Sequence, residues 1–346
     1  MCWTMFLAVC LVVGGSASYH AAAQTQTSKE EIAQLLKKAI DQSYSSSLAN
    51  EQLHSIENIH YTSGAKTING SIEIASAGPD MSRREFRLAD VGESVVVLGD
   101  KAYVTRNSLM ALYLRQMIES VRGLFPRMLA VNNAVKRVYS GKGNLKCAEL
   151  DGPPYGRNVC FDDSTGEIAS ARFQSKNGPN AVEAGVDHFA EFIGVLYPLH
   201  EFSTSSDETI DIERQPMQEV SKFADSVFVP SPNATAMDVC RPKAFTLVLP
   251  FQPGPEHPMM EDALQRELMV LMGRRSFTEF GQHVTLIYYV LVGSDAQVKK
   301  VVALVDADKA LTRDIAAQLP DHHFPTETCN GKSIEYETIV HLDLGQ

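Results

Sequence analysis

The chain has 346 residues, 44% of them hydrophobic and 21% charged, with a formal net charge of -11. That length suits two ordinary domains, and the composition is that of a folded, soluble chain and not a disordered one. The acidic balance excludes a nucleic-acid partner, which needs a concentrated basic surface. The basic pairs Arg83-Arg84, Arg274-Arg275 and Lys299-Lys300 are read as solvated faces.

The first 28 residues carry no Lys, Arg, Asp or Glu. Within them "MFLAVCLVVGG" is apolar and "Ala21-Ala22-Ala23-Gln24" supplies an A-x-A cleavage pattern, so residues 1–23 are expected to be a signal peptide. The apolar run is about 11–14 residues, short for a membrane span. The expected location is the periplasm or outside the cell, an uncleaved inner-membrane anchor being the alternative. Cys10 follows Leu7-Ala8-Val9, a poor lipoprotein signal. Beyond the leader stand Cys147, Cys160, Cys240 and Cys329. Cysteines in an exported chain favour disulfides over metal.

Next, "SKEEIAQLLKKAIDQ" predicts a helix that starts at a capping box, Ser28 with Glu31, and presents Ile32, Leu35, Leu36 and Ala39 on one face. The period then falls to two. "LHSIENIHY", "KTINGSIEIASA", "SRREFRLAD" and "ESVVVLGDKAYVT" predict successive antiparallel strands. A helix "SLMALYLRQMIESVRGLF" follows and stops at Pro126. Four further strands carry Cys147 and Cys160 on neighbours flanking "DGPPYGR", where a hairpin would bring them within bridging distance. "DHFAEFIGVLYPLHEFST" and "ETIDIERQPM" continue the meander. The fold class is α+β: a curved antiparallel half-barrel with helices over residues 24–228, a linker at 229–244 marked by three prolines, and a C-terminal domain over 245–346.

That C-terminal domain should open with "FTLVLPF" and a helix "HPMMEDALQRELMVLMG". "HVTLIYYVLVG" and "QVKKVVALVDA" form a hairpin through Gly293-Ser294-Asp295-Ala296, and a helix carrying Leu311, Ile315 and Leu319 follows. "SIEYETIVHLDL" alternates as a half-buried strand at a sheet edge or paired with that hairpin.

Catalytic and metal patterns do not assemble. In Asp321-His322-His323 the adjacent histidines point to opposite sides of an extended chain, and Cys329 lacks a partner pair for zinc. His257 and Glu261 have no third ligand in sight. There is no Gly-x-Ser-x-Gly turn, and Gly141-Lys142-Gly143-Asn144 has neither the spacing nor the following helix of a phosphate loop. The chain is therefore expected to be non-enzymatic, with no metal and no cofactor.

Taken together, the two-strand, helix, "Phe324-Pro325", "Asn330-Gly331-Lys332" and final-strand order resembles the C-terminal domain of TonB, over residues about 259–344. The tyrosine-proline lead-in, the membrane anchor and the Pro-rich spacer of that family are not evident. The resemblance implies an αββαβ domain whose last strand takes up an extended segment of an outer-membrane transporter by β-strand addition. The residues implied are Ile334, Tyr336, Thr338, Val340 and Leu342. A Cys240–Cys329 bridge would then tie the domain's entrance to its closing strand. More faintly, residues 28–220 resemble periplasmic lipoprotein carriers, which implies an apolar concave face able to hold a lipid. Leu109, Leu112, Tyr113 and Met117 would be lid residues, unless that helix is plain core. The leading expectation is thus an envelope protein that binds a protein partner, and the alternative is a carrier of lipid or lipoprotein acyl chains.

Overall fold

The computed structural model describes residues 13–43, 51–122, 134–151, 155–175, 182–205, 208–238, 284–306, 309–322, 324–329 and 331–344. In chain order the elements are α1 (Val13–Ser43), β1 (Gln52–Ser63), β2 (Lys66–Ala77), β3 (Met81–Leu88), β4 (Val91–Leu98), β5 (Lys101–Arg106) and α2 (Met110–Arg122). Then come β6 (Val135–Ser140), β7 (Leu145–Leu150), β8 (Tyr155–Asp162), β9 (Ile168–Ser175), β10 (Glu183–Phe192), β11 (Val195–Thr204) and β12 (Glu208–Arg214). The chain closes with β13 (Gln218–Glu219), β14 (Thr235–Asp238), β15 (Val284–Val292), β16 (Val298–Asp306), α3 (Lys309–Gln318), β17 (Thr328–Cys329), β18 (Lys332–Ser333) and β19 (Tyr336–Leu344). The architecture is α+β and mostly antiparallel, as the alternating segments imply.

Two compact units interleave along the chain: 1–45, 60–67 and 121–216 form one, and 46–59, 68–120 and 217–346 form the other. In the first, β6 to β12 lie in sequence order as a meander. Its core is the apolar face of β7–β10, where Ala148, Leu150, Val159, Phe161, Ile168, Ala171 and Val186 pack under Ile32, Leu36 and Ala39 of α1. The helix face is the one its four-residue spacing predicts. Its start is not. Helix runs back to Val13, so Ser28 and Glu31 lie inside α1 and do not cap it. The Ala-rich segment 17–23 has high helix propensity and continues the helix through them.

Cys147 stands opposite Cys160 in the β7–β8 register, and a disulfide joins them with Cα atoms 4.0 Å apart. This is the expected hairpin bridge. Closing so short a loop stabilises the unit by roughly 3 kcal/mol in the chain-entropy account. Cys240 and the helix expected at 259–272 lie outside the described residues, and so does the proposed Cys240–Cys329 pairing.

In the second unit β14, β5, β4, β3, β2 and β1 are neighbours in that order. Gly70 is required in β2, because a Cβ there would stand 2.3 Å from the Arg87 carbonyl oxygen on β3. Among the described residues β6 has one strand neighbour, β7, in the first unit, and β14 has one, β5, in the second. The segment expected as a linker, 229–244, contains β14, which pairs with β5 from Thr235↔Val104 to Asp238↔Lys101. Its prolines sit outside those four residues, and the backbone between them is free to pair.

The C-terminal strands form a separate sheet in the order β16-β15-β19, antiparallel throughout. The β15–β16 hairpin turns where expected: the Gly293 N–H donates to the Gln297 carbonyl, and Ala296 takes a positive φ of 63°. On one face α3 packs Leu311, Ile315 and the following Leu319 against Leu286, Tyr288, Val290, Val340 and Leu342. Phe324 is buried in the same cluster, and the Tyr336 hydroxyl donates to the Pro325 carbonyl at 2.8 Å. The aromatic-proline element is therefore a packed clasp. Gly331 has φ 76° in the turn from β17 to β18, which only a glycine adopts freely.

Candidate functional site

β19 begins at Tyr336, two residues later than the expected strand start. Ile334 precedes it, its N–H donating to the Glu327 carbonyl. Tyr336, Val340 and Leu342 point into the core shared with α3. Thr338 is half-buried opposite Val290. Three of the five residues expected to select a peptide are thus core side chains. Burial carries the phenol of Tyr336 up to about 12.

The opposite face of β19 is covered too. Ile339 joins Ile287, Tyr289 and Leu112 in a buried cluster, with Leu109 and Tyr113 packed at its margin. The rings of Tyr113 and His341 meet edge-on at 5.9 Å. Leu109, Leu112 and Tyr113, expected as lid residues, therefore lie against the β15–β19 sheet, while Met117 is half-buried on α2. Among the described residues β15 is the sole strand neighbour of β19.

A charge network that sequence reading missed underlies this face. Glu93 on β4 has a fully buried side chain. Arg115 Nε lies 2.6 Å from its Oε1, and Arg106 Nε donates to its Oε2 at 2.9 Å. Arg84 Nη2 stands 3.7 Å from Oε1 and, through Nη1, donates to Glu119 at 2.5 Å. Glu119 also accepts from Arg115 at 2.7 Å, one helical turn away on α2. Arg106 forks onto Glu337 of β19 at 2.7 and 2.9 Å, and the Tyr289 hydroxyl donates to the same carboxylate at 2.8 Å. Three arginines meet three carboxylates. Burial works against the charge on Glu93, but Arg115, Arg84 and Arg106 outweigh it and hold its carboxyl below the usual range. Arg84, expected on a solvated face, is buried here because its guanidinium has Glu119 as partner. Lys299, by contrast, is exposed and pairs at the surface with Glu335.

One signal could have found the network. Arg84, Glu93 and Arg106 fall on inward positions of three consecutive strands, and Glu93 pairs with Arg106 across the β4–β5 ladder. Arg115 and Glu119 are spaced for one helix face. A buried set of both signs does what a lone basic pair cannot: it fixes α2 and β19 on β3–β5 in one geometry. It supplies no nucleophile and no unpaired acid for chemistry.

No family model matches the sequence, and no curated protein matches it. The resemblance to TonB is therefore without support. Among solved structures the chain is similar to a LolA superfamily protein from Nitrosomonas europaea, at 14% identity and TM-score 0.33, over 57% of this chain and 96% of that one. It is also similar to an outer membrane lipoprotein-sorting protein domain from Vibrio parahaemolyticus, at 9% identity and TM-score 0.27, over 51% and 88% of the two chains. The MucA/MucB complex of Pseudomonas aeruginosa is a third, at 11% identity and TM-score 0.28, over 90% and 93%. Of these neighbours, the first two are named as the kind of protein in the fainter of the two resemblances. At such scores they carry no argument about function. No described helix is long and apolar enough to cross a membrane.

Proposed function

We propose that this chain is a non-enzymatic envelope protein, working in the periplasm, that carries an apolar chain such as a lipid or lipoprotein acyl group. The observation that supports this reading is the packing of the amphipathic helix α1 over the apolar face of β7–β10. Ile32, Leu36 and Ala39 of α1 are at most 4% exposed, and they cover seven buried sheet residues. A flexible alkyl chain offers the same kind of surface as these three side chains and could take their place at a similar gain from apolar burial. Phe161, Val159 and Ile168 would line the exchanged site, with α1 as its removable cover.

Native mass spectrometry of the full chain, purified from an envelope fraction, tests this. The expected result is a population heavier by the mass of a lipid, which denaturation releases. A homogeneous apo mass, together with no uptake of added fatty acid, would overturn the carrier reading.

A second reading has its own observation: among the described residues one edge of β19 has no strand beside it. Its backbone groups could receive an extended segment of an outer-membrane transporter as an added strand. A photo-crosslinking residue at Thr338 in cells is expected to give an adduct with such a transporter. Adducts with none would dispose of it.

A further inference from the structure

The second half of the meander holds a group of side chains that the carrier reading does not use. β10 and β11 pair in one register from Glu183↔Thr204 to Phe192↔Val195, and this sets Asp187 opposite His200. His188, next to Asp187, leaves the ladder: its φ is 52°, and it has no partner on β11 although the pairing resumes at Phe189↔Pro198. A positive φ is uncommon for a residue other than glycine. Here it turns the His188 ring back toward Asp187, where regular alternation would send neighbouring side chains to opposite sides.

The result is a convergence of donor atoms. Asp187 Oδ1 lies 2.7 Å from His188 Nδ1 and 2.7 Å from His200 Nδ1. One ligand atom from each of the three residues lies within 4.8 Å of the other two. The other oxygen of Asp187, Oδ2, faces Arg172 at 3.7 Å, so Oδ1 is the atom left to the imidazoles. On the far side of His200, Nε2 lies 3.2 Å from Asp211 Oδ2 on β12. The ring of His200 is further fixed by stacking on Phe202, with centroids 5.6 Å apart.

We propose that Asp187, His188 and His200 form a binding site for a divalent transition metal, of which zinc is the best match. Two imidazole nitrogens and one carboxylate oxygen suit zinc and disfavour magnesium and calcium, which take oxygen ligands. With bonds of about 2.0–2.1 Å to each donor, tetrahedral zinc needs ligand atoms roughly 3.3 Å apart. The two 2.7 Å separations reach that by opening about half an ångström. The exposed ring of His188, 79% accessible, is free to make that adjustment. Asp211 then accepts from the Nε2–H of His200 and holds Nδ1 as the ligand, the usual second partner of a metal-bound histidine. Three protein ligands leave a fourth position to water or to an added ligand. Asp187 and Asp211 together balance the charge of the ion, whereas Arg172 opposes it.

Equilibrium dialysis and calorimetry with zinc alone, on the full oxidised chain made without a histidine tag, test the site. One tightly held zinc per chain is expected at pH 7.5. His188→Asn keeps a residue that tolerates the positive φ and removes the imidazole; it should weaken binding at least tenfold with circular dichroism unchanged. His200→Gln should do the same, and Arg172→Gln should tighten binding. Cobalt in place of zinc should give the visible bands of a tetrahedral site, lost in His188→Asn. No zinc uptake by the wild type, or uptake that His188→Asn and His200→Gln leave unaltered, would overturn the proposal.

Discussion

Glu93→Gln is expected to destabilise the second unit by about 3–5 kcal/mol, the usual consequence of removing one partner from a buried ion-pair set. The substitution keeps the shape of the side chain and removes its charge. Arg84, Arg106 and Arg115 would then share two carboxylates, Glu119 and Glu337, with one positive charge left over in the interior. Whole domains are stable by roughly 5–15 kcal/mol, so the loss is a large fraction of the total. Hydrogen exchange is the measurement of choice, because two units need not unfold together. The amides of β4, α2 and β19 should lose protection while those of β7–β10 keep it.

The same comparison has a definite dependence on pH. The folded-state pKa of Glu93 lies below its ordinary value of 4.5. A depressed carboxyl contributes stability that is fully present above the unfolded value and is lost as pH falls through the folded one. The gap between wild type and Glu93→Gln should therefore be constant from pH 7 to about 5 and should narrow below about 4.5. An unvarying gap down to pH 3 would mean that the charge on Glu93 is not what holds this unit.

Leu36→Ala is expected to raise the affinity for a fluorescent fatty acid at least tenfold. Leu36 is 2% exposed beneath α1. Truncating such a leucine costs about 2–5 kcal/mol, most of it here in the docking of the helix. If helix and acyl chain compete for one face, weaker docking leaves more of the protein in the receptive state. Lys38→Ala, on the exposed side of the same helix, serves as the control and should bind as the wild type does. Lower affinity in Leu36→Ala would show that α1 helps to build the site and does not close it.

Much of the fold was legible because periodicity and turn chemistry are local. The apolar run "VTLIYYVLV", the Gly293–Ala296 turn and the spacing of Leu311, Ile315 and Leu319 specify their elements without help from distant residues. The Cys147–Cys160 bridge was legible for the same reason, since a hairpin joins its two ends. What eluded the sequence was everything decided by meetings between distant segments. Arg106 and Glu337 are 231 positions apart, and nothing in either neighbourhood announces the other. Arg83-Arg84 looks like a solvated pair because a sequence does not show that Glu119 will arrive beside one of them. The alternation of Tyr336, Val340 and Leu342 was read correctly as one face, but that face proved to be core and not a recognition surface. His188 and His200 escaped notice because only a distorted residue in β10 brings them together.

The three guanidinium groups and three carboxylates behind β19 sum to zero, and most of their atoms are out of reach of solvent ions. Mobile counter-ions screen charges they can surround, and they surround buried ones poorly. Rising ionic strength should accordingly loosen rim pairs such as Lys136 with Glu149 and Lys299 with Glu335 while leaving this interior knot intact. For a chain with a net charge of -11, dissolved salt then acts mainly by quieting long-range self-repulsion, so a briny medium should firm this protein and not soften it.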